Sequence, residues 1–360
     1  MLIREAFLGR REATRDQRRS PAPGHTRFIA WTAALALLLL VSIIATIGIG
    51  VVSIPVSDVV RTLHSHVVGG QAPIDPKNAA IIWNIRTPRT LLALTVGAAL
   101  SITGVSIQAV LRNLLADPYL IGVSSGASTG AALVILGFAS STSLSLTLGA
   151  FLGSTVAIVL VFAIARVGGP LTAERFIFAG IIVGFAMNAL TDLLVFITSD
   201  AHGARSVLFW TLGSFNLADW ESLPIPLSVL LATLLLLSIW ARRFDAMAIG
   251  DDTARTLGTD PALFRIESMI LAALCVSTMV AVSGTIGFVG LVVPHISRRL
   301  VGALHRRVLI VSALLGSVLL MWSDTLARSA FQPNELPVGV LTALLGTPLL
   351  LFLMRKLYAN

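Results

Sequence analysis

The amino-acid sequence predicts an all-α integral membrane protein with about ten transmembrane helices. The first observation is composition: of 360 residues, 56% are hydrophobic and 12% are charged, whereas soluble domains carry about 25% charged residues. The second is the recurrence of apolar runs close to the ~20 residues that a helix needs to cross a bilayer. These runs occupy most of the chain, so we expect no separate soluble catalytic domain.

Ten apolar runs are found with a window of about 20 residues. The eighth run is short and contains Gly287, Gly290 and Pro294. Irregular backbone is tolerated at membrane depth only where lipid is excluded, so we expect this run to be a half-span packed inside protein. The runs cover 27–52, 88–111, 119–138, 144–166, 175–198, 223–241, 266–284, 287–300, 308–330 and 338–354.

Basic residues predict the orientation of these spans. An even number of spans puts both termini on one side, and twenty of the 26 lysines and arginines fall on that side. Basic loop residues stay in the cytoplasm, so we expect a multi-pass protein of the bacterial inner membrane with both termini cytoplasmic. Residues 1–26 are expected to form an arginine-rich cytoplasmic tail and 27–355 one transmembrane domain, with 245–262 as a cytoplasmic loop within it.

Several functions are disfavoured by the residues themselves. The net charge is +8, but the basic residues are scattered in short loops, so no nucleic-acid partner is expected. A Walker loop needs Gly-Lys followed by Ser or Thr, and neither Lys77 nor Lys356 meets this requirement. His64 and His66 lack a third ligand nearby, so no metal site is expected. No intramembrane catalytic pair is found, and the chain is expected to be non-catalytic.

Three arginines fall at the outer ends of predicted spans. Arg86 and Arg89 flank Pro88 at the start of the second span, and Arg328 ends the ninth. We expect Pro88 to open the helix, because its missing N–H costs nothing there. The arginines either anchor helices at lipid headgroups or form a docking patch for an acidic external partner, where charges set encounter rate and register.

Small residues line one face of the second span. Gly97, Ser101 and Gly104 are followed by Gln108 at helical spacing. Small faces let membrane helices approach closely, so packing is the favoured interpretation and lining of a translocation path is the alternative. A tight turn at 112–118 leads into a stretch at 122–127 rich in glycine and serine, which predicts close approach to a neighbour or a pathway.

The loop after the sixth span predicts a short capped helix at 248–258. Asp251 or Asp252 can accept hydrogen bonds from first-turn N–H groups, and Gly258 offers a left-handed stop. A helix of about two turns is marginal in water on its own. It therefore packs on its own spans or inserts into a cytoplasmic partner, and both alternatives remain open.

The distribution of carboxylates separates two classes of transporter. Ion-coupled secondary transport usually leaves carboxylates deep in spans. Here Asp192 and Asp324 lie toward the outer halves, and Glu174 and Glu267 lie at cytoplasmic ends. The pattern favours a primary transporter driven by a separate ATPase, with ion-coupled secondary transport as the alternative.

In sequence order, these motifs resemble the FecCD-type permeases, the membrane subunits of binding-protein-dependent ABC importers for iron–siderophores, haem and cobalamin. The resemblance runs from about residue 30 to 355. It is carried by Arg-x-Pro-Arg at 86–89, Arg112-Asn113 through Ala116-Asp117-Pro118, Gly126-Ala127, the loop at 248–258, Gly287-Phe288-Val289-Gly290-Leu291 with Pro294-His295 and Arg298, and Leu336-Pro337-Val338-Gly339.

The resemblance implies a fold like that of the cobalamin-importer permease, and pairing with a second copy or a sister permease. Two cytoplasmic ATPase subunits, which bind ATP and magnesium, and an extracytoplasmic substrate-binding protein would complete the complex. The chain itself would bind no cofactor. The implied activity is import of ferric-siderophore-type chelates by alternating access, with cobalamin or haem as alternatives.

The resemblance also implies roles for individual residues. Binding-protein docking matches Arg86, Arg89 and Arg328. ATPase coupling matches Asp251, Asp252, Thr253, Ala254, Arg255, Leu257 and Gly258. The gate matches Asn113 and Leu115 with a second element at Ala173 and Glu174, and Gln108 is the pathway candidate on the small-residue face. The family commonly has Asn-Pro-Leu-Ala where this chain has Asn-Leu-Leu-Ala at 113–116, and its cobalamin member has a hydroxyl at the second gate element.

Overall fold

The computed structural model describes residues 23–50, 52–70, 75–137, 142–167, 169, 172–331 and 334–358. These residues form an all-helical protein without strands. The predicted tail lies outside the described residues up to position 22. Its last four residues belong to the first helix, which begins at Pro23.

The helices are numbered here in chain order. They are α1 (Pro23–Gly48), α2 (Val56–Val68), α3 (Pro76–Val110), α4 (Val123–Gly137), α5 (Ser143–Arg166), α6 (Ala173–Ile197), α7 (Ala201–Thr211), α8 (Pro224–Ile239), α9 (Ala241–Ile249), α10 (Asp251–Thr256), α11 (Pro261–Ser283), α12 (Val289–Val301), α13 (His305–Ser329) and α14 (Val338–Tyr358), with a 3-10 helix at Pro118–Ile121.

Length and apolarity identify the membrane-spanning helices among the described residues. Six helices are long and apolar enough to cross a bilayer, namely α1, α3, α5, α6, α11 and α13. The pair α8 and α9, bent by 58° at its junction, makes a seventh if the two helices together form one broken span. The shorter helices α4, α12 and α14 coincide with the three remaining predicted runs. The prediction of an all-α membrane protein with about ten spans is confirmed.

Helix α3 lies at the centre of the bundle. Its side chains are buried on nearly every face from Thr87 to Val110, and α8, α11, α12 and α13 pack around it. A helix that is apolar all round belongs in such an interior. Gly97 faces Gly316 of α13, and Gly104 faces Gly290 of α12, so closely that a Cβ would overlap the opposing backbone. The packing interpretation of the small-residue face is therefore confirmed.

Helix α12 is the predicted half-span. It has 13 residues and contains Pro294, so it is about 20 Å long and too short to cross the bilayer core. It packs against α1, α3, α13 and α14. Because Gly290, near its start, meets α3 at Gly104, α12 begins well inside the bundle and its irregular entry is covered by protein.

The predicted helix start at Pro88 is wrong. Helix α3 begins at Pro76 and passes through a π-helical segment, Ile81–Arg86, before Pro88. Proline in a helix interior lacks an N–H and clashes with the carbonyl four residues before it. The widened turn, in which the Thr87 N–H bonds to the carbonyl of Ile82, relieves this conflict and keeps the helix continuous.

Candidate functional site

Arg86 is buried at one end of the helix bundle. We call this end, at which α1 terminates, the distal end. Nη1 of Arg86 donates to the carbonyls of Ile47 and Gly48 at 2.8 and 3.0 Å. Its Nη2 donates to the carbonyl of Val52 at 2.5 Å. The last carbonyls of a helix have no partner within the helix. Arg86 therefore caps the C-terminus of α1 and fixes the segment that follows it.

Arg328 supplies a second cap to the same helix end. Its Nη2 donates to the carbonyl of Thr46, and its Nε lies 3.8 Å from a carboxylate oxygen of Asp324. Carbonyl groups at a helix C-terminus carry partial negative charge, which favours a cation there. Both arginines thus satisfy backbone groups that would be costly to leave unpaired away from water.

Arg89 joins α3 to α13 through a carboxylate. Its Nε lies 3.1 and 3.0 Å from the two carboxylate oxygens of Asp324, and its Nη2 lies 2.8 Å from Oδ1. Its Nη1 donates to Glu335 at 3.1 Å. We call these five residues, Arg86, Arg89, Asp324, Arg328 and Glu335, the arginine clamp.

The structure brings the three predicted docking residues together, but not as an exposed patch. Arg86, Arg89 and Arg328 are only 5, 8 and 6% exposed. In this structure the end of α1 and the carboxylate of Asp324 hold the three guanidinium groups inside the protein. Docking of a partner on these residues stays a prediction.

The predicted capping of the short loop helix by an aspartate is also wrong. Helix α10 follows Gly250 and has no side-chain cap. Asp251 instead accepts from Nη2 of Arg265 at 2.7 and 2.9 Å and lies 3.0 Å from Nη2 of Arg112. The predicted left-handed stop is present, with Gly258 at a φ of 80°.

Asp251 is the electrostatic centre of this loop. Burial raises the pKa of its carboxyl group, but the hydrogen bond from Arg265 and the charges of Arg265, Arg112 and Arg255 outweigh burial, so its pKa lies below the ordinary value. The carboxylate is therefore charged at neutral pH. It links α10 to the start of α11 and to the turn that follows α3.

The remaining loop residues divide between two faces. Ala254 is fully buried and Thr253 half-buried, whereas Asp252, Arg255 and Leu257 are exposed. Asp252 pairs with Arg255 at 2.9 Å on the surface. One face of α10 thus packs on the bundle, as the first alternative expected, and the other face is free for a partner.

The two predicted gate elements lie at different helix ends. Arg112 adopts a left-handed φ of 49°, and the Asn113 side chain accepts from the N–H of Leu115 at 2.9 Å. Leu115 projects outward and is exposed. Ala173 and Glu174 form the first turn of α6. The gate assignment stays a prediction.

Gln108 does not line an open path in this structure. It is 2% exposed, and its Nε2 donates to the carbonyls of Gly290 and Leu291 at 3.3 Å each. Its Oε1 accepts from Arg298 at 2.6 Å. The amide is a joint between α3 and both ends of α12, and its role as a pathway residue stays a prediction.

The sequence analysis did not identify a polar cavity between α4, α6 and α7. This cavity has a volume of about 400 Å³. The signal in the sequence was the spacing of polar residues: Ser124 and Ser128 lie four residues apart on one helix, and Asn188 and Asp192 do so on another. The lining residues, which we call the polar cavity, are Ser124, Ser125, Ser128, Asn188, Thr191, Asp192, Val195, Val207, Leu208, Thr211 and Thr285.

Comparison with known proteins gives a consistent result over most of the chain. A hemin transport system permease protein of Yersinia pestis, HmuU, is 41% identical over 280 residues, covering 76% of this chain and 83% of that protein. The Fe(3+) dicitrate transport system permease protein FecD of Escherichia coli is 38% identical over 277 residues, covering 77% and 86%.

A solved structure agrees in fold. A metal-chelate type ABC transporter in an inward-facing conformation superposes with a TM-score of 0.78 at 33% identity, covering 90% of this chain and 98% of that one. The sequence model of the FecCD transport family matches residues 38–356, a range that contains nearly all of the predicted spans. This chain therefore belongs to the FecCD transport family.

Proposed function

We propose that this chain is the membrane-spanning permease subunit of an ABC importer that carries ferric-siderophore-type chelates into the cytoplasm. The observation that carries the proposal is the family match across residues 38–356. Two relatives are named as permeases for hemin and for ferric dicitrate, which supports a metal chelate as the class of cargo. Haem is the second candidate, because the hemin permease is 41% identical to this chain.

The energy for transport comes, in this proposal, from two separate ATPase subunits on the cytoplasmic side. The surface that we assign to their contact is the exposed face of α10, with Asp252 and Arg255, together with Leu257 directly after the helix. Asp251 supports this assignment, since its bonds to Arg112 and Arg265 connect a movement of α10 to α3 and α11. The excess of basic residues on the side of the termini supports a cytoplasmic location for this surface and for both termini.

A second permease, identical or related, completes the path through the membrane. Support comes from α6, which is mostly unburied in the single chain and carries exposed Phe178, Phe185 and Phe196. Large apolar side chains in such number need a partner helix or lipid against them. Alternating access then consists in changing which end of the path between the two permeases is open.

A binding protein delivers the chelate to the outer, distal end. If carboxylates of the binding protein bind Arg86, Arg89 or Arg328, these arginines must give up their present partners in the arginine clamp. Docking would then loosen the contact between α1, α3 and α13. The proposal thereby links arrival of cargo to a change in helix packing.

The test is uptake by the reconstituted importer. The chain would be co-purified with an ATPase and a binding protein from the same organism and placed in vesicles with ATP inside or outside. We expect uptake of an iron-55 chelate that requires the binding protein, ATP and an intact ATPase. Transport by the purified chain alone, driven by an ion gradient without ATPase, would refute the proposal in favour of secondary transport.

A further inference from the structure

The polar cavity is built from side chains that the membrane makes expensive. Asp192 lies five residues before the end of α6 at Ile197, which is about 8 Å along the helix. Asn188 lies one turn deeper on the same face. A carboxylate within a span carries a desolvation cost, so its position calls for a ligand or a water-filled path.

Five of the six side-chain hydroxyl groups that line the cavity, all except that of Ser124, donate their hydrogens to backbone carbonyls. Ser125 donates to the carbonyl of Gly122 at 3.0 Å, and Ser128 donates to that of Ser124 at 2.9 Å. Thr191 donates to the carbonyl of Met187, Thr211 to that of Leu208, and Thr285 to that of Thr211. A hydroxyl has one donor and two acceptor lone pairs. What these oxygens still offer to the cavity is therefore acceptor capacity.

Asp192 adds a negative charge to these acceptors. It is exposed toward the cavity and forms no ion pair with any residue in the described part of the chain. The residues that line the cavity include no lysine, arginine or histidine. The carboxylate is thus an uncompensated acceptor, and Asn188 contributes the one side-chain amide in the lining.

The wall behind the cavity is held in place. The hydroxyl of Thr129 on α4 lies 2.9 Å from both the hydroxyl of Thr191 and the carbonyl of Met187 on α6, and it donates its one hydrogen to either of them. This hydrogen bond ties together the two helices that carry most of the acceptors. A site whose groups are fixed before binding loses less conformational entropy when it binds.

We propose that the polar cavity is a cargo-selecting subsite for chelates that present a positive charge or N–H and O–H donors at their surface, in preference to polyanionic chelates such as ferric citrate. Its volume of about 400 Å³ falls in the range of small-molecule sites, which is about 300–1,000 Å³. This inference rests on the proposed function, because it names the cargo class of that same transport path.

The test compares two probes that differ in one charge. Ferrioxamine B carries a protonated amine beside its hydroxamate–iron core, and its N-acetyl derivative lacks that charge. Binding of each would be measured by flow dialysis to the permease–ATPase complex in nanodiscs, without the binding protein. We expect the cationic probe to bind about tenfold more tightly and this preference to shrink at about 0.5 M salt.

Variants assign the preference to the cavity. Asp192→Asn should remove the preference, so that the two probes bind about equally, and Asp192→Glu should restore it. The matched control is Glu221→Gln, which neutralises an exposed carboxylate in the loop before α8. Equal binding of both probes to the natural protein, no binding of the cationic probe at about 1 mM, or an unchanged preference in Asp192→Asn would overturn the inference.

ATP-dependent uptake by the full importer keeps the two proposals apart. Uptake that proceeds with no charge preference dependent on Asp192 would overturn the subsite alone. Absence of any ATP-dependent uptake of a chelate that the binding protein holds would overturn the proposed function.

Discussion

Arg89 and Asp324 form a two-point ion pair between α3 and α13, 235 residues apart in the chain. The side chains are 10% and 3% exposed, so neither charge has much access to water. A buried pair contributes little net stability when it forms, but removing one partner leaves a charge without compensation. The pair therefore makes the distal end of the bundle sensitive to single substitutions.

Asp324→Asn tests this sensitivity. We expect the variant to lose about 3 kcal/mol of stability, because the guanidinium group of Arg89 stays buried and keeps only the partly exposed Glu335 as a charged partner. The measurement is the midpoint of thermal unfolding of the detergent-solubilised chain. Glu335→Gln is the control: the Glu335 side chain is 33% exposed, and we expect a loss below about 1 kcal/mol. Equal midpoints for the two variants would contradict the burial argument.

Arg86→Lys tests the cap on α1. A lysine has a single ammonium group and cannot reproduce the fork that reaches three carbonyls. We expect faster hydrogen exchange in the segment around Gly48 and Ile54, measured by mass spectrometry. Arg61→Lys on α2 is the control, since Arg61 is exposed. If Arg86 served docking alone, binding-protein stimulation of the ATPase would fall with no change in exchange.

The sequence predicted the helices more completely than the environments of the charged residues. Apolar length alone located the spans, and Gly287, Gly290 and Pro294 indicated the half-span, because both signals are local. The position of Arg86 could be read from the sequence, but its partners, the last carbonyls of α1, lie 38 and 39 residues away. Only the folded arrangement shows which helix ends need a donor.

The loop aspartates illustrate the same limit. Asp251 and Asp252 are equally good N-cap residues in sequence, and local reasoning assigns one or the other to capping. Tertiary contacts decide otherwise, since Arg112 and Arg265 converge on Asp251 while Asp252 stays in water. The polar cavity was missed for a related reason: its side chains come from three helices and one loop, and no single segment carries the whole pattern.

Asp251→Asn and Asp252→Asn form a matched pair for the loop. We expect Asp251→Asn to lose about 2 kcal/mol locally, the scale of a charged hydrogen bond, and to raise hydrogen exchange in α10. The Asp252 side chain is 99% exposed, so its neutralisation should change exchange little. Similar exchange in both variants would show that Asp251 does not hold α10.

The same contact predicts a pH dependence. The pKa of Asp251 is lower in the folded protein than its ordinary value, so the folded state binds the proton less readily than the unfolded state. Its stabilising contribution is therefore complete above the ordinary aspartate pKa of about 3.9 and is lost as pH falls through the lowered value. Protection of α10 should be constant between about pH 8 and 5. A loss of protection within that window would contradict the ion pair.

Leu257→Asp tests the exposed face of α10. Leu257 is 66% exposed, which makes its replacement tolerable to the isolated chain but not to an apolar contact with a partner. We expect the variant to unfold at the normal temperature and to lose either co-purification of the ATPase or the coupling of hydrolysis to uptake. Leu257→Met, which keeps the apolar contact, is the control. Normal uptake by Leu257→Asp would remove this residue from the coupling surface.

Gly104→Ala tests the close approach of α3 to α12. A Cβ at Gly104 would overlap the carbonyl of Gly290, which is backbone and cannot rotate away, so we expect a loss of about 3 kcal/mol. Gly137→Ala is the control, because a Cβ there meets nothing within 4 Å and alanine favours the helical state. Thermal midpoints of the two purified variants give the comparison. A stable Gly104→Ala variant would mean that α12 can shift relative to α3, and the joint at Gln108 would then be a movable one rather than a fixed support.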